Sequence, residues 1–180
     1  MKKNKILFFD RDGILINTKR INNRPIAINN IKNIKFCYGI KKIIKLSREN
    51  NYINIMVTNQ PDISRKKINK KKVDNINEYI KKKLSLDDVF MCGHDDKDYC
   101  DCRKPKTGML IKAKKKWFGD FKKSIIIGDR WKDISCGKKA KINTILIKYN
   151  YDEKKIFGNY NFNSIYQLSK NINKILKKYE

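Results

Sequence analysis

The chain contains few residues that interrupt regular structure. Only three of its 180 residues are proline and eight are glycine, and they do not cluster into a linker. A single domain of this length can bury roughly 70% of the surface that its unfolded chain exposes. We therefore predict one domain over residues 1–180, with the role of the C-terminal segment 149–180 left open.

Long apolar runs are also missing. No stretch approaches the ~20 apolar residues that cross a bilayer, and the N-terminus lacks the apolar core and small-residue cleavage site of a secretory signal. The sequence predicts a cytoplasmic protein with no membrane partner. Two of its five cysteines, Cys37 and Cys136, stand alone in the sequence. They are predicted to be buried, inert thiols, which suits a reducing compartment.

Acidic residues are heavily outnumbered. The chain has 18 Asp and Glu against 44 Lys and Arg, a formal charge of +26. Such a charge can bind nucleic-acid phosphates, but the lysines are spread along the chain beside abundant Ile and Asn, a bias that AT-rich coding also produces. No basic and aromatic interleaving indicates a platform for stacking bases. We expect a small phosphorylated substrate, nucleic acid as an unlikely partner, and a monomer.

Apolar runs and amphipathic stretches alternate along the chain. This order predicts an α/β fold, a Rossmann-like three-layer sandwich around a mostly parallel sheet. Strands are expected at 5–9, 52–57, 87–91, 124–127 and 142–147, and helices at 39–50, 64–83, 108–118, 131–140 and 165–176. Residues 18–35 look polar and irregular. The stretch from Thr58 to Cys92 has room for one helix, so we expect a minimal cap domain or none.

Polar residues follow three of these predicted strands. Asp10, Thr58 and Asp129 stand at predicted carboxyl ends, where ligands bind in parallel sheets. Asp10 and Asp12 flank a single residue, so both carboxylates can face one cavity. The pair alone supports a magnesium site, acid and base catalysis, or a helix-capping turn without function.

The segment 92–104 contains three cysteines and the only histidine. Cys92, His94, Cys100 and Cys102 can close a tetrahedral shell around Zn²⁺ and leave no position for substrate, which predicts a structural site. The alternative is a buried thiol beside a lone core histidine. We call residues 92–104 the zinc loop. Arg103 and Lys104, directly after its last cysteine, would aim two cations at an anionic site.

The strand-end groups together match the needs of phosphoryl transfer through an aspartate. That chemistry needs a carboxylate nucleophile and a second acid that protonates the leaving alcohol and then activates water. It also needs Mg²⁺, and a hydroxyl and a cation that hold the phosphoryl oxygens. Carboxylates, hydroxyls and cations of these types stand at the predicted strand ends and in the zinc loop.

Four motifs resemble those of the haloacid dehalogenase (HAD) superfamily, specifically its small zinc-containing phosphatases. The resemblance covers roughly residues 5–148. It rests on FFDRDG at 8–13, VTNQ at 57–60, CGH at 92–94 with CDCRKPK at 100–106, and IGDRWKD at 127–133. Each motif alone is weak to moderate, but four in this order are strong evidence.

The resemblance implies a role for each matching residue. Asp10 matches the nucleophile and Asp12 the general acid and base. Asp10, Asp12 and Asp129 would bind catalytic Mg²⁺, together with the backbone carbonyl of Arg11, while Zn²⁺ would be structural. Thr58 and Lys104 match the groups that hold the phosphoryl, and Asn59 and Arg103 match positions that touch phosphate or substrate. Asp133 is either an outer acid of the site or a first-turn helix residue favoured by the helix dipole.

The same resemblance implies a phosphomonoesterase and ranks its substrates. The 7-phosphate of D-glycero-D-manno-heptose 1,7-bisphosphate is expected first, because residues 58–63 and 108–109 fit that branch. Histidinol phosphate is the nearest rival, since the spacing between His94 and Cys100 fits its branch equally well. A nucleic-acid 3′-phosphatase and a non-catalytic zinc-stapled binding domain are more distant alternatives.

Overall fold

The fold is described from a computed structural model, which covers residues 3–21, 24–149, 151 and 153–179. Its central sheet has six strands in the order β5-β4-β1-β6-β7-β8, and every neighbouring pair is parallel. These strands are β1 (Lys5–Phe9), β4 (Tyr52–Asn59), β5 (Asp88–Cys92), β6 (Ile125–Gly128), β7 (Asn143–Ile147) and β8 (Tyr160–Phe162). The predicted parallel α/β sheet is confirmed.

Five helices cover the two faces of this sheet. They are α1 (Ile40–Glu49), α2 (Lys70–Leu84), α3 (Gly108–Trp117), α4 (Trp131–Lys139) and α5 (Ile165–Lys177). Helices α1, α2 and α5 supply one core cluster, while α3 and α4 supply the other. The arrangement is the expected three-layer sandwich. No helix within the described ranges is long and apolar enough to cross a membrane.

Strand β1 shows why both faces are apolar. Leu7 and Phe9 pack into the cluster under α1, α2 and α5, whereas Ile6 and Phe8 pack into the opposite cluster. Successive side chains of a strand point to opposite faces, so a central strand covered on both sides reads as one continuous apolar run. Because β1 is central, its carboxyl end delivers Asp10 to the middle of the sheet edge.

The C-terminal segment completes the fold on one side. Strand β8 extends the sheet beside β7, and α5 packs against α1 with Ile172 fully buried. Helix α5 is capped by Ser164, whose side chain accepts a hydrogen bond from the Gln167 amide. The segment whose role the sequence left open therefore contributes core surface.

Two expectations about local structure were wrong. Residues 18–35, expected to be irregular, contain an antiparallel hairpin of β2 (Lys19–Ile21) and β3 (Arg24–Ile26) and a short 3₁₀ turn. Three-residue strands are too short to show a period of two. The second helix begins at Lys70 instead of Ser64, because Asn69 caps it by accepting from the Lys71 amide. The preceding residues form turns.

The contribution of α5 can be tested with Ile172→Ala. Truncating this fully buried side chain should lower the free energy of unfolding by about 2–5 kcal/mol, through lost apolar burial and a residual cavity. Urea denaturation followed by circular dichroism measures the change. Ile111→Ala, at a position 54% exposed on α3, is the matched control and should cost less than about 0.5 kcal/mol. Equal effects of the two substitutions would contradict the packing described here.

Candidate active site

A buried lysine occupies the centre of the site. The Lys104 ammonium lies 2.6 Å from Asp10 Oδ1 and 2.5 Å from Asp133 Oδ1, and it donates to the Val57 carbonyl at 2.8 Å. Burial works against its charge, but the two carboxylates outweigh that effect and raise the pKa of Lys104. The ammonium is therefore charged and fixed, as phosphoryl binding requires.

Three buried carboxylates converge around this ammonium. Asp10, Asp129 and Asp133 each bring an oxygen within 4.8 Å of the others. Burial, together with repulsion from Asp133 and Asp12, raises the pKa of Asp10 to about 6 despite the opposing effect of Lys104. Burial and the charges of Asp10 and Asp133 raise the pKa of Asp129 well above its ordinary value. The site holds more negative charge than its own lysine neutralises.

This carboxylate cluster fits Mg²⁺. Oxygen ligands from one or two carboxylates suit this hard cation, and Asp129 Oδ1 is buried with no hydrogen-bond partner in the described part of the chain. An orphaned buried carboxylate oxygen is costly unless a cation meets it. A divalent ion here would offset the burial and the mutual repulsion that together raise the pKa values of Asp10 and Asp129.

Asp12 lies beside this cluster and is held by other groups. Its carboxylate accepts from the Arg11 guanidinium at 3.0 Å and from Gln60 Nε2 at 2.9 Å. Arg11 is itself almost fully buried and also donates to Gln60 and Asn77. The structure thus brings Asp10 and Asp129 together and turns the Asp12 carboxylate to Arg11. Its assignment as a magnesium ligand remains a prediction.

The two polar residues at the end of β4 have different partners. Thr58 is buried, and its hydroxyl accepts from Gln60 Nε2 at 2.9 Å. The Asn59 amide forms two hydrogen bonds of 3.0 Å with the backbone of Lys104, one to its N–H and one to its carbonyl. Asn59 therefore fixes the part of the zinc loop that carries Lys104. The family resemblance had implied that Asn59 touches phosphate or substrate.

Arg103 pairs with an acid outside the buried carboxylate cluster. Its guanidinium binds the Asp96 carboxylate at 2.8 Å and the His94 carbonyl at 3.2 Å. Lys132, at the start of α4, reaches the same Asp96 carboxylate at 3.1 Å. The two consecutive cations of the zinc loop thus separate, Lys104 to the buried acids and Arg103 to the wall of the cavity.

The four predicted zinc ligands do come together. Their sulfur atoms lie 3.2, 3.5 and 3.7 Å apart, and His94 Nδ1 lies 3.6 Å from Cys92 Sγ and 3.3 Å from Cys102 Sγ. Tetrahedral coordination with Zn–S bonds of ~2.3 Å places neighbouring ligand atoms about 3.8 Å apart. The cluster of Cys92, His94, Cys100 and Cys102 fits Zn²⁺ with a small expansion.

Neighbouring segments tie the zinc loop in place. Asp95 caps a 3₁₀ turn, and the Arg65 guanidinium binds its carboxylate at 2.7 Å. Ser64 donates to Asp98 at 2.5 Å. These contacts come from residues that the sequence assigned to a helix, and they explain why that segment is held in turns. Without ligands and cross-links, a loop this polar has too little apolar surface to fold.

A cavity of about 760 Å³ opens above the carboxylates. The β3 end of the hairpin, the turns after β4, the zinc loop and the start of α4 form its walls. Lys104 and Asp10 lie at its base, and further cationic side chains surround it, namely Arg65, Lys67, Arg103, Arg130 and Lys132. The cavity suits a small anionic ligand that extends beyond one phosphate.

Sequence reasoning missed several of the residues that complete the site. Gln60 bridges Asp12 and Thr58, and its place in the VTNQ motif was the available signal. Tyr151 donates to Asp129 Oδ2 at 2.7 Å, and no motif marks it. Asp133 fulfils both roles that the sequence left open, since it pairs with Lys104 and caps α4 through the Arg130 amide.

A protein-family model matches most of this chain. The model, described as polynucleotide kinase 3 phosphatase, matches residues 5–156. The chain belongs to the HAD superfamily of phosphatases. The chain is an enzyme, as the sequence predicted.

Individual relatives have names that are more specific than the description of the family model. The chain is 35% identical over 150 residues to D-glycero-alpha-D-manno-heptose-1,7-bisphosphate 7-phosphatase of Campylobacter jejuni, covering 81% of this chain and 83% of that protein. It is 31% identical to the D-glycero-beta-D-manno enzyme of Helicobacter pylori, covering 83% and 87%. It is 34% identical to the Histidine biosynthesis bifunctional protein HisB of Buchnera aphidicola, covering 81% of the chain but 42% of that protein.

A solved structure supports the fold. The D,D-heptose 1.7-bisphosphate phosphatase from B. bronchiseptica, complexed with magnesium and phosphate, superposes with a TM-score of 0.79. The match covers 97% of this chain and 99% of that one at 18% identity. At this identity the likeness establishes the HAD fold.

Removing one buried acid should stabilise the metal-free protein. Burial raises the pKa of Asp129, so above the ordinary value of 3.8 the folded state must either take up a proton that the unfolded state lacks or carry an unfavourable buried charge. At pH 7.5 without metal, Asp129→Asn should raise the melting temperature of the protein. A gain of about 1 kcal/mol in the free energy of unfolding corresponds to roughly 2–4 °C for a chain of this length. Acidification toward the ordinary value of 3.8 should abolish the gain. Calorimetry measures both.

With added Mg²⁺, the wild type should instead melt at a higher temperature than Asp129→Asn. The ion stabilises whatever folded state binds it, so it should raise the melting temperature of the wild type and not that of Asp129→Asn. Asp74→Asn is the control, because Asp74 is a surface acid paired with Lys70 and should change stability by less than about 0.5 kcal/mol. If metal-free Asp129→Asn melted at a lower temperature than the metal-free wild type, burial of the Asp129 carboxyl group would not be destabilising.

The zinc cluster can be tested with Cys100→Ser. The wild type should contain about one zinc ion per chain. The variant should lose most of this zinc, because a serine oxygen replaces a thiolate ligand. With the loop less ordered, KM should rise more than kcat falls. Plasma emission spectrometry and steady-state kinetics measure the two effects. The control is Cys136→Ser, since Cys136 donates to the Lys106 carbonyl outside the cluster; zinc retained by Cys100→Ser would refute the assignment.

Proposed function

We propose that this phosphatase removes the 7-phosphate of D-glycero-D-manno-heptose 1,7-bisphosphate. The observation that carries the proposal is the identity of 35% and 31% with two enzymes of that name, over more than four-fifths of the chain. The two relatives act on different anomers by name, so the proposal covers the substrate class and either anomer.

The cavity supports a substrate with two phosphates. Its volume of about 760 Å³ lies within the range of small-ligand pockets. Lys104 at the base would bind the phosphoryl group to be transferred. Arg103 and Lys132, now joined by Asp96, supply cations at a second position. A sugar that carries anions at both ends would meet both sets.

We assign the first chemical step to Asp10 and Asp12. A carboxylate oxygen of Asp10 attacks phosphorus and forms an aspartyl-phosphate, while the bond from phosphorus to the sugar oxygen breaks. Asp12 donates its proton to that leaving oxygen. Lys104 and the Thr58 hydroxyl hold the phosphoryl oxygens as their charge redistributes.

The second step regenerates the enzyme. Asp12, now a carboxylate, accepts a proton from water, and the water oxygen attacks phosphorus. The bond between phosphorus and Asp10 breaks, which releases inorganic phosphate and restores the Asp10 carboxylate. Arg11 and Gln60 hold the Asp12 carboxylate in a fixed orientation through both proton transfers.

We propose that Asp10 and Asp129 hold Mg²⁺, with Asp133 in the same acidic cluster. When bound, the ion supplies positive charge that neutralises phosphate and carboxylates together. The coordination of Zn²⁺ by the cysteine–histidine cluster would be structural and would keep Asn59 and Lys104 in register. The separate thiols Cys37 and Cys136 fit a reducing compartment, so we place the enzyme in the cytoplasm. We also propose that it is a monomer.

The nucleophile is tested with Asp10→Asn. An amide cannot form the aspartyl-phosphate, so kcat on heptose 1,7-bisphosphate should fall by roughly four orders of magnitude or more. Phosphate release at saturating Mg²⁺ measures it. Asp120→Asn is the control, because Asp120 lies at the opposite end of β6 from the site. Activity of Asp10→Asn within tenfold of the wild type would rule out the covalent mechanism.

The substrate is tested separately by comparing phosphomonoesters. The kcat/KM should be highest for heptose 1,7-bisphosphate and lower for heptose 7-phosphate, which lacks the second anion. Histidinol phosphate is the second candidate, because the HisB relative is 34% identical over most of this chain. A 3′-phosphorylated oligonucleotide tests the activity for which the family model is named. Faster turnover of either would replace the proposed substrate.

A further inference from the structure

One tyrosine outside the four motifs touches the acidic cluster. Tyr151 follows β7, and its hydroxyl donates to Asp129 Oδ2 at 2.7 Å. The other oxygen of the same carboxylate, Oδ1, is buried and has no hydrogen-bond partner among the residues that the structure describes. The two oxygens are therefore distinct: a hydroxyl holds one, and the other is available to a cation.

The surrounding residues restrict this carboxylate further. Gly13 has φ +86°, and a Cβ there would collide with Asp129 Oδ2 and come within 3.4 Å of the Tyr151 hydroxyl. Tyr149 donates to the Gly13 carbonyl at 3.1 Å, and its ring meets that of Tyr151 edge to face at 5.7 Å. Two tyrosines thus connect the loop after Asp10 with Asp129.

We propose that Tyr151 is a positioning residue that limits Asp129 to a single metal-binding oxygen and so sets the selectivity of the site for Mg²⁺ over larger cations. The inference rests on the magnesium site of the proposed function. Hydrogen-bonded outer partners of metal ligands fix ligand orientation, and their loss commonly costs 10–100-fold in metal affinity or activity.

Cation size gives the proposal its specific signature. Mg²⁺ requires near-ideal octahedral geometry and is usually bound through a few carboxylate oxygens, whereas Ca²⁺ accepts six to eight oxygens and bidentate carboxylates. With Oδ2 held by Tyr151, Asp129 offers one oxygen. Without that hydroxyl, the carboxylate could rotate and offer both, which disfavours Mg²⁺ and leaves Ca²⁺ binding largely unaffected.

The test is Tyr151→Phe, which removes the hydroxyl and keeps the ring against Tyr149. Calorimetric titration of the zinc-loaded protein, with no substrate present, gives the dissociation constants for Mg²⁺ and Ca²⁺. We expect the value for Mg²⁺ to rise roughly tenfold and that for Ca²⁺ to change less than threefold. Because no substrate is present, the result does not depend on which phosphate ester the enzyme uses.

The matched control is Tyr160→Phe, which removes a tyrosine hydroxyl hydrogen-bonded to Tyr179 and should leave both constants unchanged. Equal weakening of Mg²⁺ and Ca²⁺ by Tyr151→Phe would show a merely structural role and overturn the proposal, as would no change in either. If that variant does not fold, a crystal structure of the wild type with Mg²⁺ decides: Oδ1 alone on the ion supports the proposal, and Oδ2 on the ion overturns it.

Discussion

The Lys104 ammonium lies between the carboxylates of Asp10 and Asp133, buried and 2.6 and 2.5 Å from them. Asp10 directly follows β1, Asp133 lies in the first turn of α4, and Lys104 comes from the zinc loop. The fold can bury three acids together because this ammonium is among them, since unpaired buried charges are prohibitively costly. Every other part of the site determines where the ammonium or the acids stand.

The zinc loop is the means of delivering this lysine. A lysine side chain loses considerable rotamer entropy when it is fixed, so its backbone must already be in place. Asn59 supplies that constraint by pairing with both polar backbone groups of Lys104. On the other side, the four-ligand cluster ends at Cys102, two residues away. The loop is thus anchored to β4 at the substrate side and closed on itself by the cluster, which explains why a non-reacting metal would matter for recognition.

The sequence predicted five of the six strands of the central sheet, the acids and the zinc cluster because each has a local signal, whereas the three-residue strand β8 has none. Buried parallel strands such as β1 are continuous apolar runs, and the ligands Cys92 to Cys102 lie within a short segment. Partners distant in sequence had no such signal. The Tyr151 contact with Asp129 and the Asn59 pairing with Lys104 depend on how loops meet. The true start of α2 depends equally on tertiary contacts, because Arg65 is bound to Asp95 of the zinc loop.

The two metals would stabilise this fold in different ways. Zinc binding would supply free energy to order a loop too polar to fold by apolar burial. Magnesium binding would instead stabilise charges that the folded protein already holds at a cost, since burial, with repulsion from Asp133 and Asp12, raises the pKa of Asp10 to about 6. The central strands, buried on both faces, offset that cost before any ion binds. The acids are therefore preorganised for a cation and a phosphate, so binding needs little further rearrangement of the protein, and this is the condition under which electrostatic stabilisation of a transition state is most effective.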